Sequence, residues 1–384
     1  MPRIEYTMLS AIAISLFTSL LTALALIRYL HLHQHLSCDP VSQSPQKFHL
    51  ELTPRIGGIP ILIGIALGML AAWKIRILSG SMLEAWCYAI APVFLAGTVE
   101  DITKQVAPGW RLLASFASAA CGAWLLNAII PTLALPGSEQ LFKAFPWIAV
   151  TITIVGVGGI CHSLNLIDGY NGLAGGVALM ALFSLGYVCL KVGDTELLAI
   201  CAISAAATTG FLAWNYPRGY IFAGDGGAYL LGFIIAEVSV LLVARHHQVS
   251  PWFPFTLMVY PIWETLFTIY RRKMIQGQAA GLPDALHLHQ MVFNRLVRWM
   301  VGKRETKSLR RRNAMTTPYL WGMGLMTVMP ALLFWENTAA LQIICCLFVI
   351  FYGWLYRRLA RFRAPKWLMT RHGARGTSED DPVD

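Results

Sequence analysis

Eleven stretches of about twenty apolar residues recur between residues 8 and 356, and a water-soluble fold has no interior large enough for them all. At about 1.5 Å per helical residue, a run of that length crosses a hydrocarbon core of about 30 Å. The runs lie near 8–29, 57–75, 82–99, 112–131, 145–162, 173–191, 196–214, 227–244, 252–270, 317–335 and 339–356. They are continuous and lack the period-two alternation of a membrane barrel. The expected fold is therefore all-α, a polytopic helical bundle in a membrane. Composition agrees: 56% of the residues are hydrophobic and 13% charged, against about 45–50% and about 25% in ordinary soluble domains. The first run is too long for the apolar part of a cleavable leader and is expected to stay as an anchor. Two runs are the least regular, 82–99 with Glu84 and 252–270 with Pro254, Pro261 and Glu264.

An odd number of crossings puts the two ends of the chain on opposite sides. One face then collects the segments 30–56, 100–111, 163–172, 215–226, 271–316 and the tail from 357. With Arg28 included, that face holds twenty-four of the thirty Lys and Arg residues. Basic residues gather on the cytoplasmic side of membrane proteins. The expected topology has the amino terminus on the outer, periplasmic side and the carboxyl terminus cytoplasmic. Residues 1–356 read as a single transmembrane domain with those loops, and 357–384 as a basic tail with a disordered end. In a membrane chain the net charge of +10 reads as topology, so no nucleic-acid partner is expected. The eight cysteines show no C-x-x-C spacing and lie mostly in apolar runs, as small core hydrophobes do. Within 271–316, residues 284–301 read as an amphipathic helix with Asp284 at its N-cap.

Four loops of the basic face carry short polar motifs hard against helix ends: GTVEDITK (97–104), NLIDGYNGLAGG (165–176), FAGDGGAYLLGF (222–233) and PDALHLHQ (283–290). Glu100, Asp101, Asp168, Asp225 and Asp284 fall in or beside them. A carboxylate at the hydrocarbon edge is costly unless it is paired, hydrated or metal-bound. Asp225 follows Gly224 at the start of a helix, and a helix N-terminus attracts phosphate. Carboxylates and basic residues together at a membrane surface suit a divalent cation holding a diphosphate, with Mg²⁺ first and Mn²⁺ second. His287 and His289 could donate to phosphate or sugar; as a zinc pair they lack a third and fourth ligand. No Walker A or dinucleotide fingerprint is present, so an ATP-driven pump has no support. A secondary transporter would place its site near the midplane, with internal repeats, and no repeat is visible.

Taken in order, these motifs resemble those of the polyprenyl-phosphate N-acetylhexosamine-1-phosphate transferases, from about residue 53 to about residue 290. Glu100 and Asp101 resemble the family's acidic pair. Asn165, Asp168, Gly169, Asn171, Gly172 and Leu173 resemble its N-x-x-D-G-x-[ND]-G-L motif, and Phe222, Gly224, Asp225 and Gly227 its F-x-G-D-x-G motif. H-L-H at 287–289 resembles its histidine motif, and T-P-R-I-G-G at 53–58 its early glycine loop. The resemblance implies transfer of a sugar 1-phosphate from a UDP-N-acetylhexosamine to undecaprenyl phosphate, with release of UMP. It implies Asp225 and Asn165 as Mg²⁺ ligands, and Asp101, Glu100 and Asp168 as catalytic residues, with Asp101 facing the lipid phosphate. Asn171 is expected at the uracil and Arg111 at the lipid phosphate. His287, His289, Arg271 and Arg272 are expected at diphosphate and sugar, and Lys104 is expected to bind substrate as well. Two positions depart from the common pattern: Glu100 stands where an Asp is usual, and Asn171 likewise. H-L-H-Q lacks the denser histidine cluster of the muramoyl-pentapeptide branch. The expected member is thus one that primes O-antigen or another surface glycan, with N-acetylglucosamine as the sugar and another N-acetylated sugar as the alternative. The sequence leaves the assembly open, a homodimer being one option.

Overall fold

The computed structural model describes residues 2–38, 52–275, 286–297 and 306–361. In chain order the helices are α1 (Pro2–Arg28), α2 (Leu30–Ser37), α3 (Gly58–Lys74), α4 (Gly80–Thr103), α5 (Pro108–Leu125), α6 (Ser138–Ala144) and α7 (Pro146–Ile167). They continue with α8 (Leu173–Val192), α9 (Thr195–Asn215), α10 (Gly224–Arg245), α11 (Trp252–Leu257) and α12 (Val259–Tyr270). A π-helical turn, Arg271–Ile275, extends α12; α13 (Leu288–Met291) runs into a second, Val292–Val297; α14 (Thr306–Leu333) and α15 (Thr338–Ala360) follow. Among the described residues there is no strand, only an isolated bridge between Cys38 and Pro54. The fold is all-α, as expected. By length and composition α1, α4, α7, α8, α9, α10 and α15 can cross a membrane, and α3 is a shorter apolar helix. The remaining expected segments are present as α5, the α11–α12 pair and α14.

Helix α10 is the axis of the bundle. Every residue from Gly224 to Val243 is buried, which requires a helix apolar on all sides. Helices α3, α4, α5, α7, α8 and α9 surround it. Close crossings use small residues, as in membranes generally. A Cβ on Gly97 of α4 would stand 2.7 Å from Gly226 Cα, so only glycine lets α4 meet the first turn of α10. On the periphery, the Ser15 and Ser19 hydroxyls of α1 donate to the carbonyls of Ile203 (2.8 Å) and Ala207 (2.7 Å) on α9.

Three expected boundaries shift for identifiable reasons. The run 82–99 ends where hydropathy ends, but α4 continues through Thr103, and Glu100 and Asp101 ride on its last turn. Lys104 stops it in a left-handed conformation (φ 57°). The run 252–270 breaks at Met258. Pro261 has no N–H to donate and its ring crowds the preceding turn. The expected 112–131 helix begins at Pro108 instead, which brings Arg111 into its first turn. Asp284 and Arg298 of the expected 284–301 helix, and the tail beyond 361, lie outside the described residues. Glu237, in α10, is fully buried against Gly122 of α5, and its carboxyl oxygens have no hydrogen-bond partner among the described residues.

At the end of the bundle away from the polar motifs, Asp194 clamps two helices. It N-caps α9 by accepting from Leu197 N (3.0 Å) and pairs with Arg245 (3.1 Å) and His246 Nε2 (3.1 Å) at the end of α10. These donors hold its carboxyl below the ordinary 3.8 against the opposing effect of burial. A carboxylate with a depressed pKa stabilises above its unfolded value and loses that contribution as pH falls through the folded one. Asp194→Asn should therefore lower stability by about 1.5–3 kcal/mol at pH 7. The gap from the unsubstituted protein should close as pH drops below about 3.8, read by thermal unfolding in detergent at several pH values.

Candidate active site

The amino end of α10 is where the motifs meet. Its first amides have no intrahelical acceptor, and its dipole favours an anion there. Asp101, on the last turn of α4, supplies one: its Oδ1 accepts from Asp225 N and its Oδ2 from Gly226 N, each at 2.8 Å. Gly224 takes φ 70° to turn the chain into this arrangement, a conformation natural to glycine. The Asp225 side chain then pairs with Arg111 on the first turn of α5. Arg55 lies 3.6 Å from Asp225 Oδ1 and 4.0 Å from Asp101 Oδ1. With 33% of its side chain exposed, Arg55 forms the open wall of the cluster. Its loop is fastened to the Asp225 loop by three backbone hydrogen bonds. Phe222 N donates to Pro54 O (2.9 Å), Gly57 N to Phe222 O (2.8 Å) and Gly58 N to Ala223 O (2.9 Å).

The carboxyl end of α7 closes the other side. Asp168, half-buried, follows its last residue and interacts electrostatically with Arg55 and Asp225. Burial pushes the Asp168 carboxyl up to about 7; Arg55 opposes that shift and the Asp225 charge adds to it. Asn165, one turn earlier, hydrogen-bonds the Tyr229 hydroxyl, and Tyr229 sits one turn beyond Asp225 on the same face of α10. His162 packs its ring 4.8 Å from Tyr229 and hydrogen-bonds the Arg111 backbone.

Asn171 belongs to the wall behind this cluster. Its N–H donates to Asn313 Oδ1 (2.9 Å), its side-chain amide to Pro217 O (3.1 Å), and its carbonyl accepts from the Thr317 hydroxyl (2.6 Å). The side-chain Oδ1 of Asn171 is buried and accepts nothing among the described residues. The H-L-H segment is anchored on α12. His287 Nδ1 lies 3.2 Å from Glu264 Oε1, and the Leu288 N–H donates to the same oxygen at 3.1 Å. Tyr352 of α15 donates to Glu264 Oε2 at 2.6 Å. The carboxylate can only accept, which assigns the imidazole proton to Nδ1 of His287. His287 stacks on His289 with ring centroids 5.2 Å apart, and His289 meets the Tyr170 ring edge-on at 5.5 Å. Burial, and after it the neighbouring His287 ring, drives His289 down to about 3, so it is neutral at physiological pH; Glu264 opposes the shift.

The structure thus brings Asp101, Asp225, Asp168 and Arg111 into one cluster, with Asn165 linked through Tyr229 and His289 through Tyr170, next to Asp168 and Gly169. Arg271 and Arg272 are buried on the π-helical turn after α12. The Lys104 Nζ donates to Cys38 O at 2.5 Å. Glu100 holds the following loop by accepting from Val106 N at 2.8 Å. Five residues here escaped the sequence reading: Arg55, Tyr229, His162, Asn313 and Tyr170. Arg55 had a signal, its place inside T-P-R-I-G-G. Tyr229 and His162 had one too, helical spacing from Asp225 and Asn165. Asn313 is joined only by the tertiary fold.

Residues 83–243 match the family model described as glycosyl transferase family 4. That stretch holds the acidic pair and the motifs around Asn165 and Asp225; the Arg55 loop and H-L-H lie outside it. The chain is 28% identical over 253 residues to the probable undecaprenyl-phosphate N-acetylglucosaminyl 1-phosphate transferase of Bacillus subtilis, covering 64% of this chain and 67% of that one. It is 27% identical over 276 residues to the decaprenyl-phosphate N-acetylglucosaminephosphotransferase of Mycolicibacterium smegmatis, covering 63% and 65%. It is also 23% identical over 325 residues to a phospho-N-acetylmuramoyl-pentapeptide-transferase of Chlorobium luteolum, covering 74% and 86%. The match spans about two thirds of the length of the first two relatives.

Proposed function

Because residues 83–243 match glycosyl transferase family 4, we propose that this chain is a member that moves an N-acetylhexosamine 1-phosphate from a UDP-sugar to undecaprenyl phosphate and releases UMP. The sugar is N-acetylglucosamine, and the product primes O-antigen or another surface glycan. The reaction takes place at the cytoplasmic face of a bacterial inner membrane, where the acceptor's phosphate and the soluble nucleotide sugar meet. The observation that carries this reading is the interleaving of Asp225, Asp168 and Asp101 with Arg111 and Arg55 where α4, α5, α7 and α10 end together.

In this reading an oxygen of the lipid phosphate attacks the phosphorus that carries the sugar. The bond from that phosphorus to the bridging oxygen breaks, and UMP leaves with the oxygen and its electron pair. Arg111 and Arg55 are placed to hold phosphoryl oxygens. Asp101 gives one acceptor position on each oxygen to the first amides of α10, so it serves as a positioning residue. The acceptor needs little deprotonation, since a phosphate monoester has a second pKa of about 6. The orphan Oδ1 of Asn171 suits an imide N–H such as that of uracil. The stacked, uncharged His289 and its partner His287 suit sugar or diphosphate oxygens.

The donors fit a hard divalent cation. The Asp225 charge raises the proton affinity of Asp168, a repulsion that a cation relieves, and Asn165 adds an amide oxygen. Two carboxylates suit Mg²⁺, which completes its shell with phosphate oxygens and water. Bound there, Mg²⁺ or Mn²⁺ supplies charge neutralisation for the leaving group.

Purified full-length protein in lipid nanodiscs should release UMP from UDP-N-acetylglucosamine only when undecaprenyl phosphate and Mg²⁺ are both present. Absence of UMP from every member of a UDP-N-acetylhexosamine panel would overturn the reading. A pH dependence follows from Asp168. Its carboxyl is largely protonated below about 7 and is a poor ligand there. The Mg²⁺ concentration for half-maximal rate should fall as pH rises from about 6 to about 8, and Asp168→Asn should flatten that trend.

A further inference from the structure

The last turn of α15 carries Arg357 and Arg358, with Arg361 at its C-cap, and none of the three forms an ion pair with an acidic side chain among the described residues. They line one cavity of about 690 Å³. Its remaining walls are apolar or aromatic: Phe267 from α12, and Val349, Ile350, Gly353, Trp354 and Tyr356 from α15. The Arg358 guanidinium lies over the Trp354 ring, 5.7 Å from its centroid. Ile350 and Trp354 are exposed, on a helix long and apolar enough to span a bilayer. The groove therefore combines a hydrocarbon-facing wall with three uncompensated cations at one end.

That pattern has the polarity of an amphiphile with an anionic head. Long basic side chains at helix ends commonly reach for water on their own. Here three of them converge on one walled volume, and the helix dipole already favours cations at this end. We propose that the α12–α15 groove binds one anionic glycerophospholipid of the surrounding bilayer, its phosphate among Arg357, Arg358 and Arg361 and its upper acyl chain along Phe267, Ile350 and Tyr356. None of the residues that bind Asp225 or Asp101 lines this groove, so it is separate from the place where the acceptor lipid would react. It does adjoin the H-L-H segment, because Tyr356 donates to Leu286 O at 3.1 Å. The proposal does not depend on the transferase reading.

The test counts retained lipid. Full-length protein extracted in mild detergent is titrated with phosphatidylglycerol or phosphatidylcholine and examined by native mass spectrometry. The unsubstituted chain should hold one phosphatidylglycerol in preference to phosphatidylcholine. The triple variant Arg357→Gln, Arg358→Gln, Arg361→Gln should bind it at least about tenfold more weakly. The triple Arg→Lys variant, which keeps the charge, should retain most of the binding and serves as the control should the Gln variant fold poorly. Equal retention by wild type and a folded Gln variant would overturn the proposal. So would a triple Lys variant that folds but binds no better than neutral lipid allows. Displacement of the phosphatidylglycerol by equimolar undecaprenyl phosphate would assign the groove to the acceptor. Tighter lipid binding after removal of residues 362–384 would assign it to the chain's own tail. Either result would count against the occupant named here.

Discussion

Asp225→Asn is expected to reduce UMP release by about 1,000-fold, the scale seen when one preorganised electrostatic group is lost. The amide keeps the size of the side chain and removes its charge. Arg111, which pairs with Asp225, and Arg55, 3.6 Å from it, would then lose the carboxylate charge between them. Any cation held there would lose its charged ligand. The backbone amide of Asp225 would still donate to Asp101, so the first turn of α10 should persist. The measurement is kcat at saturating substrates, beside a thermal unfolding curve that should move little. Asp101→Asn should behave in the opposite sense. Its new NH2 would point at an amide N–H, so stability should suffer, and the pH profile of residual turnover should keep its shape. Near-wild-type turnover in Asp225→Asn would remove the centre of the proposed site.

Glu264→Ala carries the second large effect. Its buried carboxyl oxygens serve His287 Nδ1, Leu288 N and the Tyr352 hydroxyl. Truncation leaves these donors in a dry interior and takes the anchor from the H-L-H segment. Breaking a buried charged network from one side costs about 3–5 kcal/mol. The midpoint of thermal unfolding should fall accordingly. Glu264→Gln keeps one acceptor oxygen and should lose roughly half as much. If Ala and Gln variants melted together with the unsubstituted protein, the network would not be holding this loop.

Much of this architecture could be read in advance because membrane crossing leaves a blunt mark. Twenty apolar residues in a row have few alternatives, and α8 and α9 begin and end within a residue of where hydropathy places them. Polar ends are harder. Hydropathy stops at Val99, whereas hydrogen bonding carries α4 on through Asp101 to Thr103. Asp101 and Asp225 could be marked as important from their motifs. That one caps the helix bearing the other could not, since the contact depends on Gly97 lying against Gly226. Glu264 was visible only as an acid in an apolar run; its partners come from a loop and from α15. Arg55 shows the limit most plainly, because a basic residue before two glycines is common and only the paired backbone of 54–58 and 222–223 aims it at the acids.

That pairing also sets an order for biogenesis. Arg55 leaves the ribosome long before Phe222, and its loop is tied both to the end of α2, where Arg55 N donates to Ser37 O at 2.9 Å, and to amides and carbonyls of 222 and 223. Nascent chains halted ahead of Phe222 would carry early helices already inserted but an Arg55 segment held on the α2 side alone. The catalytic floor is completed late in translation, when the eighth of the large helices threads into a ring that has been waiting for it.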